Sequence, residues 1–343
     1  MSSLIARGLA QARARCLAGR SLWPLPTWCE GVWLLSGLRP DQVPFDNPAT
    51  VGFCDDSSRA YFSSDCFGAP MRTACIDAVL VGLRAANPGM GKVVAIDGSD
   101  LPAYANGHKH VGSTNGPLRT RWADPDAAWG HRSAISTRKG GGYYGYKVHA
   151  AVDAATGLPL AWDVQPANVS EQERVPGLLD ALTGRGFIPG AAVMDKGYDG
   201  RLMYEQCEAW GIRPVIALQM TAGVQAGKAD PPKCVHGTWT FAGSDAKRGA
   251  AKWRCPTGKC QPASTWVKAD RLHPLIPRGT ERFKDLYRQR VAVERELGRL
   301  KHEWGMLPLR VRRLPRVRLH VNLTILAQLA DAAIRAQTVD RAA

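Results

Sequence analysis

A chain of 343 residues with 45% hydrophobic and 22% charged residues has the make-up of an ordinary globule and is long enough for one large domain or two modest ones. Its net charge of +15 and pI near 9.7 are unevenly spread: between 241 and 320, twenty Lys and Arg accompany seven Asp and Glu, which favours a polyanionic partner, nucleic acid before an anionic membrane surface. No apolar run approaches the roughly 20 residues of a membrane span, and nine cysteines, an odd number with no secretory leader, argue against a disulfide framework.

In chain order, residues 1–90 read as a mostly helical N-terminal region. Helical patches near 4–18 and 68–85 are joined by Pro- and Asp-rich connections, and the basic start leaves room for recognition of a DNA end. Residues 104–142, rich in Gly, His, Arg, Asp and Ser, read as a long loop. "KVVAIDGSD", from residue 92, contains a short apolar β-type run that ends on Asp97. "YYGYKVHAAVD" and "LPLAWDVQP" are two more strand-like runs, joined around Ala155-Thr156-Gly157 as a hairpin. A helix over 171–184 follows, with Ser170 at its N-cap position. Next come the strand of "AAVMDKGYDG" with Asp195 at its carboxyl end, a helix over 200–210 and the strand "IRPVIAL". After an interruption over 221–275, the basic stretch "RQRVAVERELGRLKHEWG" reads as one helix over 288–305, and 315–334 reads as a packing helix. This order predicts an α/β fold, a mixed sheet with helices on its faces.

Asp97 and Asp195 each follow an apolar β-run, and α/β sheets place ligand sites at the carboxyl ends of their strands. Loop acids also cap helices and form turns, so neither aspartate decides the matter alone. Glu294, on the basic helix, supplies a third carboxylate. Such oxygens suit hard divalent cations, and two cations about 4 Å apart activate an attacking oxygen and stabilise a departing one at a phosphodiester. A basic surface beside them would bind the DNA backbone. The competing reading of Arg290 and Glu294, four residues apart, is a modest surface ion pair. Asp100 ranks below Asp97, because only Asp97 ends the apolar run. Asp153 and Asp163 suit hairpin surface positions, and His149 suits a packed or edge position.

Tyr287, Arg290, Glu294 and Lys301 have the spacing Y-(2)-R-(3)-E-(6)-K. They follow "VVAIDGSD", "GYYGYKVHAAVDAATGLPLAWDVQPANVSE" and "VMDKGYDG" in that order. On these four signatures the chain resembles bacterial insertion-sequence transposases with a DDE catalytic domain, over about 92–330. The resemblance implies a ribonuclease-H-like catalytic domain over 91–335, with an insertion over approximately 221–275 before the final catalytic helix. It implies Asp97, Asp195 and Glu294 as the triad and as ligands of two Mg2+ or Mn2+ ions. The activity implied is hydrolysis at a transposon end, exposing a 3′-OH that attacks target DNA. Tyr287, Arg290 and Lys301 would contact phosphates near the scissile bond. The implied partners are double-stranded DNA, as terminal inverted repeats and as target, and a second copy of the chain on paired ends. A cytoplasmic, nucleoid-associated location follows, with no membrane. A DNA-binding protein without catalysis, or a nuclease without strand transfer, remain the alternatives.

Other basic residues are candidates on composition. Lys147 lies in "YYGYKVHAAVD", Lys196 directly follows Asp195, and Arg310, Arg312 and Arg313 lie in "PLRVRRLPRVRLH". Within the insertion, Cys234, His236, Cys255 and Cys260 are four zinc-type ligands, but neither close pair has the usual two-residue gap. That spacing argues for ordinary thiols over a structural zinc. Trp239, Trp253 and Trp266, interleaved with Lys and Arg, suit either a DNA-facing surface or a small core.

Overall fold

A computed structural model describes residues 69–112, 119–132, 139–219 and 231–342. The expectations for 4–18 and for end recognition by the N-terminal region lie outside these residues. The chain divides into two compact units, Met90–Arg318, and Met1–Gly89 together with Leu319–Ala343.

The first unit is built on strands β1 (Val93–Pro102), β5 (Gly141–Asp153), β6 (Pro159–Pro166), β7 (Ala191–Met194) and β8 (Arg213–Ile216). In the sheet, β5, β1, β7 and β8 are successive neighbours, and β6 pairs with the outer edge of β5. β5 is antiparallel to β1 and β6, whereas β1, β7 and β8 are parallel. All four residues of β7 are buried, as are Val94, Ala95 and Ile96 of β1. Continuous apolar runs of this kind mark strands covered on both faces. The architecture is a mixed sheet with flanking helices, as expected.

Helix α2 (Val175–Gly184) lies on β6. It buries Val175, Leu178, Leu179 and Leu182, the stripe that helical periodicity requires. Its start differs from the expectation. A 3-10 turn occupies Gln172–Arg174, and the cap position is Arg174, with no side-chain cap. Pro176 sets this boundary, because proline is tolerated in the first helical turn, where its missing N–H has no partner to lose. Helix α3 (Arg201–Ala209) packs on β8.

The region expected as a loop over 104–142 carries three short strands in its described parts. β2 (Lys109–Gly112) pairs with β3 (Arg119–Trp122), and β4 (Ala128–Arg132) pairs with Gly141–Gly145 at the start of β5. β5 has 13 residues, so its outer edge has room for β4 along one half and β6 along the other. Asp153 is buried, not a surface hairpin residue. It accepts from the backbone N–H of Gly91 at 2.7 Å and from Thr156 N and Oγ1 at 2.8 and 2.7 Å.

The insertion after β8 has its own small sheets. β9 (Lys233–Cys234) and β10 (Gly237–Thr238) form a hairpin, and β11 (Thr240–Asp245), β12 (Ala250–Arg254) and β13 (Ser264–Lys268) form an antiparallel sheet. Trp253 is buried with Phe241 edge-on to it at 5.7 Å, so this tryptophan is core. Trp266 stays exposed, and Arg248 and Lys252 lie over its ring.

The helix expected over 288–305 is α5 (Val291–His302), shorter at both ends, and a separate helix α4 (Glu281–Arg288) precedes it. Across the joint, Gln289, Arg290, Ala292 and Val293 donate to carbonyls three residues back, which interrupts the four-residue ladder. Helical offsets counted from Tyr287 therefore do not carry into α5. α4 buries Phe283 against β7 and β8, and α5 lies on β1 and β5. Helix α6 (Leu314–Ala342) begins in this unit and continues into the other, which also holds helix α1 (Ala69–Ala86).

Candidate active site

The register of β1 and β7 builds the centre of the site. Ile96 is paired with Met194 in the parallel ladder. The next residue on each strand is an aspartate, so Asp97 and Asp195 emerge side by side at the carboxyl end of β7, on strands about 5 Å apart. Each is oriented by local backbone. Asp97 Oδ1 accepts from Gly98 N at 2.8 Å, and Asp195 Oδ1 accepts from Gly197 N at 2.7 Å. Asp195 does so as the cap of a 3-10 turn over Lys196–Tyr198.

Burial raises the Asp97 carboxyl to about 7, with the Gly98 N–H opposing the shift. The negative charges of Glu171 and Asp195 raise it further, and the Arg290 guanidinium pulls it down. These four charged groups thus share one field around Asp97. Glu171 is the member that sequence reasoning passed over. Its Oε1 accepts from Lys147 Nζ at 2.7 Å, and it hydrogen-bonds the buried Tyr198. A Cβ on Gly98 would lie 3.0 Å from Glu171 Oε1, so the glycine leaves the space that this carboxylate fills. The only signal in the sequence was its place at the end of "QPANVSE".

On α5, Arg290 donates to Glu294 in an ion pair and also acts on Asp97. The arginine thereby links the helix carboxylate to the strand-end pair. Tyr287 is partly buried against the cluster of Ala191, Val193, Val215, Ile276 and Phe283, stacked on Phe283 at 5.7 Å. Arg290 lies over the Tyr287 ring at 5.8 Å, so the tyrosine is a platform for the guanidinium.

Other expected contacts have different surroundings. Lys301 was expected at phosphate, yet it is buried and donates to Asp100 Oδ1 at 3.0 Å. Asp100 is also buried and accepts from Arg132 at 3.2 Å. An ammonium withdrawn from water needs such a carboxylate partner. Lys147 is held by Glu171, and Lys196 is exposed. Arg310 and Arg312 are exposed over the Tyr104 ring. Arg313 has φ +73 and is pinned: its N–H donates to Asp124 and its guanidinium pairs with Asp126 at 3.1 Å. His149 is fully buried, and burial lowers its imidazole to about 4.

Among the described residues, Cys234, Cys255 and Cys260 are the one group of three or more His, Cys, Asp or Glu whose ligand atoms all lie within 4.8 Å of one another. The Asp97, Asp195 and Glu294 carboxylates are not drawn together that tightly. His236 is exposed and stands outside the cysteine group. No helix among the described residues is long and apolar enough to cross a membrane.

Residues 88–329 match the family described as transposase DDE domain. No curated protein matches the chain. Among solved structures, a similar one is a piggyBac transposase synaptic complex with hairpin DNA, at 12% identity and a TM-score of 0.38, covering 72% of this chain and 48% of that one. The chain thus spans about half the length of that transposase.

Proposed function

Because the chain belongs to the transposase DDE domain family, we propose that it cleaves DNA phosphodiesters at transposon ends and joins the exposed 3′-OH to target DNA, with Asp97, Asp195 and Glu294 as its catalytic carboxylates. The observation that carries this reading is the register of Ile96 with Met194, which leaves two aspartates adjacent at strand ends, with Arg290 ion-paired to Glu294 and its charge felt at Asp97.

The donor set fits hard cations. Asp97 is held near 7 by burial and by the charges of Glu171 and Asp195, and positive charge in that cluster would offset the repulsion. Asp97, Asp195 and Glu294 would hold Mg2+ or Mn2+, which supplies activation of an attacking oxygen and stabilisation of a departing one.

The chain's own residues do the positioning. Arg290, set on the Tyr287 ring, has a donor fork suited to a phosphate once DNA competes with Glu294 for it. Lys301, seven residues from Glu294 on α5, is about two helical turns away. Its pairing with Asp100 ties α5 to β1 and so fixes where Glu294 points. Glu171 acts beside the triad as a positioning residue, through Lys147 and Tyr198. The exposed Lys196, Arg310 and Arg312 are DNA-backbone contacts, and a second copy of the chain would hold the paired transposon end.

The test uses the purified full-length chain, Mg2+ and a labelled duplex carrying the end of the element that encodes it, with a plasmid target. Wild type should give both a 3′-OH cut and joined product, and D97A, D195A and E294A should each reduce both to background. Wild-type rates in any of these three variants would overturn the triad. A cut without joining would make the protein a nuclease, and binding without cutting would make it a DNA-binding protein.

A further inference from the structure

We propose that the insertion carries a structural metal site in which Cys234, Cys255 and Cys260 hold one zinc ion. Cys234 ends β9, Cys255 follows β12, and Cys260 closes the turn "CPTGKC". Cys234 is 21 residues from Cys255, on the β9–β10 hairpin, whereas Cys255 and Cys260 lie in the connection between β12 and β13. The fold brings their sulfurs within 4.8 Å of one another. The Cys234 and Cys255 sulfurs are 3.8 Å apart. Zinc–sulfur bonds of about 2.3 Å in a tetrahedron put neighbouring sulfurs about 3.8 Å apart, whereas a disulfide needs about 2 Å. The Cys234–Cys255 spacing matches that of two ligands on a common ion, and Cys260 lies within 4.8 Å of both.

Polar groups converge on the Cys255 sulfur. The Thr257 hydroxyl is 3.5 Å from Cys255 Sγ, and backbone N–H groups of Cys260 and Thr257 also hydrogen-bond it. Soft thiolates select zinc over magnesium or calcium. Three sulfurs would fill three corners of the tetrahedron.

The position explains what the ion would do. β9–β10 is a hairpin of two-residue strands, too short to be stable by itself. A zinc bond from Cys234 to Cys255 and Cys260 would fasten this hairpin to the β11–β13 sheet, whose small core holds Ala250, Ala251 and Trp253. This inference stands on the insertion alone, so it holds or fails independently of the catalytic reading.

The experiment measures zinc in the full-length chain purified without added metal, and the visible spectrum after exchange with Co2+. About one zinc per chain is expected, with the intense d–d bands of a tetrahedral thiolate site after exchange. C234S, C255S and C260S should each lose most of the zinc, whereas C207S, which alters a buried thiol of α3 outside the group, should keep it. Should a serine variant fail to fold, mercurial titration of wild type serves instead: zinc must be released as the cluster thiols react. Zinc-free wild type that takes up no Co2+, zinc retained in all three serine variants, or a Cys234–Cys255 disulfide in protein kept from air would each overturn the proposal.

Discussion

At the scale of single residues, Asp97 and His149 pull stability in opposite directions with pH. The folded chain keeps the Asp97 proton up to about 7, whereas the unfolded chain releases it near 3.8. Stability therefore falls as pH rises across that window, by as much as about 4 kcal/mol. His149 has its folded value lowered from 6.5 to about 4, so its contribution is lost as pH falls from 6.5 towards 4, by about 3 kcal/mol. In metal-free buffer the two effects nearly cancel between those limits, and wild type should lose stability mainly on passing from pH 6.5 to 8. D97N removes the first effect. It should be more stable than wild type at pH 8 and should gain stability as pH rises to 6.5, read by thermal unfolding across pH. A D97N protein less stable than wild type at pH 8 would contradict the burial and crowding assigned to Asp97. Glu171 gives a second prediction here. Its charge raises Asp97, so E171Q should move the acid limb of the cleavage profile to lower pH by up to about one unit. An unmoved limb would leave Glu171 as a tie for Lys147 alone.

At the scale of elements, the insertion is clamped to the sheet by a buried acid. Asp199, just beyond the turn after β7, pairs with Arg271 at 2.9 Å and Arg278 at 3.5 Å. It also accepts from Gln219 N at 2.7 Å and from the Tyr204 hydroxyl at 3.2 Å. Gln219 precedes the insertion, Arg271 lies near its end and Arg278 follows it, so one carboxylate holds both its ends. D199A leaves two arginines without their counter-charge and should cost about 3 kcal/mol in denaturant unfolding. Limited proteolysis should then cut within 231–270 before it cuts the central sheet. Equal protection of the insertion in wild type and variant would remove the clamp. The same scale shows what was legible. Strands β1, β5, β6, β7 and β8 could be read because burial on both faces demands apolar runs, and the aspartates because they end such runs. The break between α4 and α5 could not be read, since neither Gly nor Pro marks it. Glu171 was hidden for another reason: its partners are distant in sequence, and polar residues carry no periodic signal of where they meet. The cysteines were visible as zinc-type ligands, but their irregular spacing gave no sign that three sulfurs converge and that His236 stands outside them.

At the scale of the whole molecule, the positive charge of the chain divides into cations already committed to carboxylates and cations left on the surface. Lys301 belongs to the first kind, buried on Asp100, although its spacing in the sequence placed it with the DNA contacts. Arg310 and Arg312 belong to the second, exposed and set over Tyr104. Each cation that meets a phosphate releases condensed counterions, so it steepens the fall of log affinity with log salt by about 0.9. The two kinds therefore separate in one measurement, the salt dependence of binding to a duplex of fixed length. R310A combined with R312A should flatten the slope by about 2 while leaving the unfolding midpoint near wild type. K301A should leave the slope unchanged, because its ammonium meets no phosphate, and should lower the midpoint, because Asp100 loses a partner it holds in a dry place. If K301A instead flattened the slope at unchanged stability, Lys301 would exchange Asp100 for phosphate on binding. α5 would then move when DNA arrives, and the pairing that sets Glu294 would belong to the free protein alone.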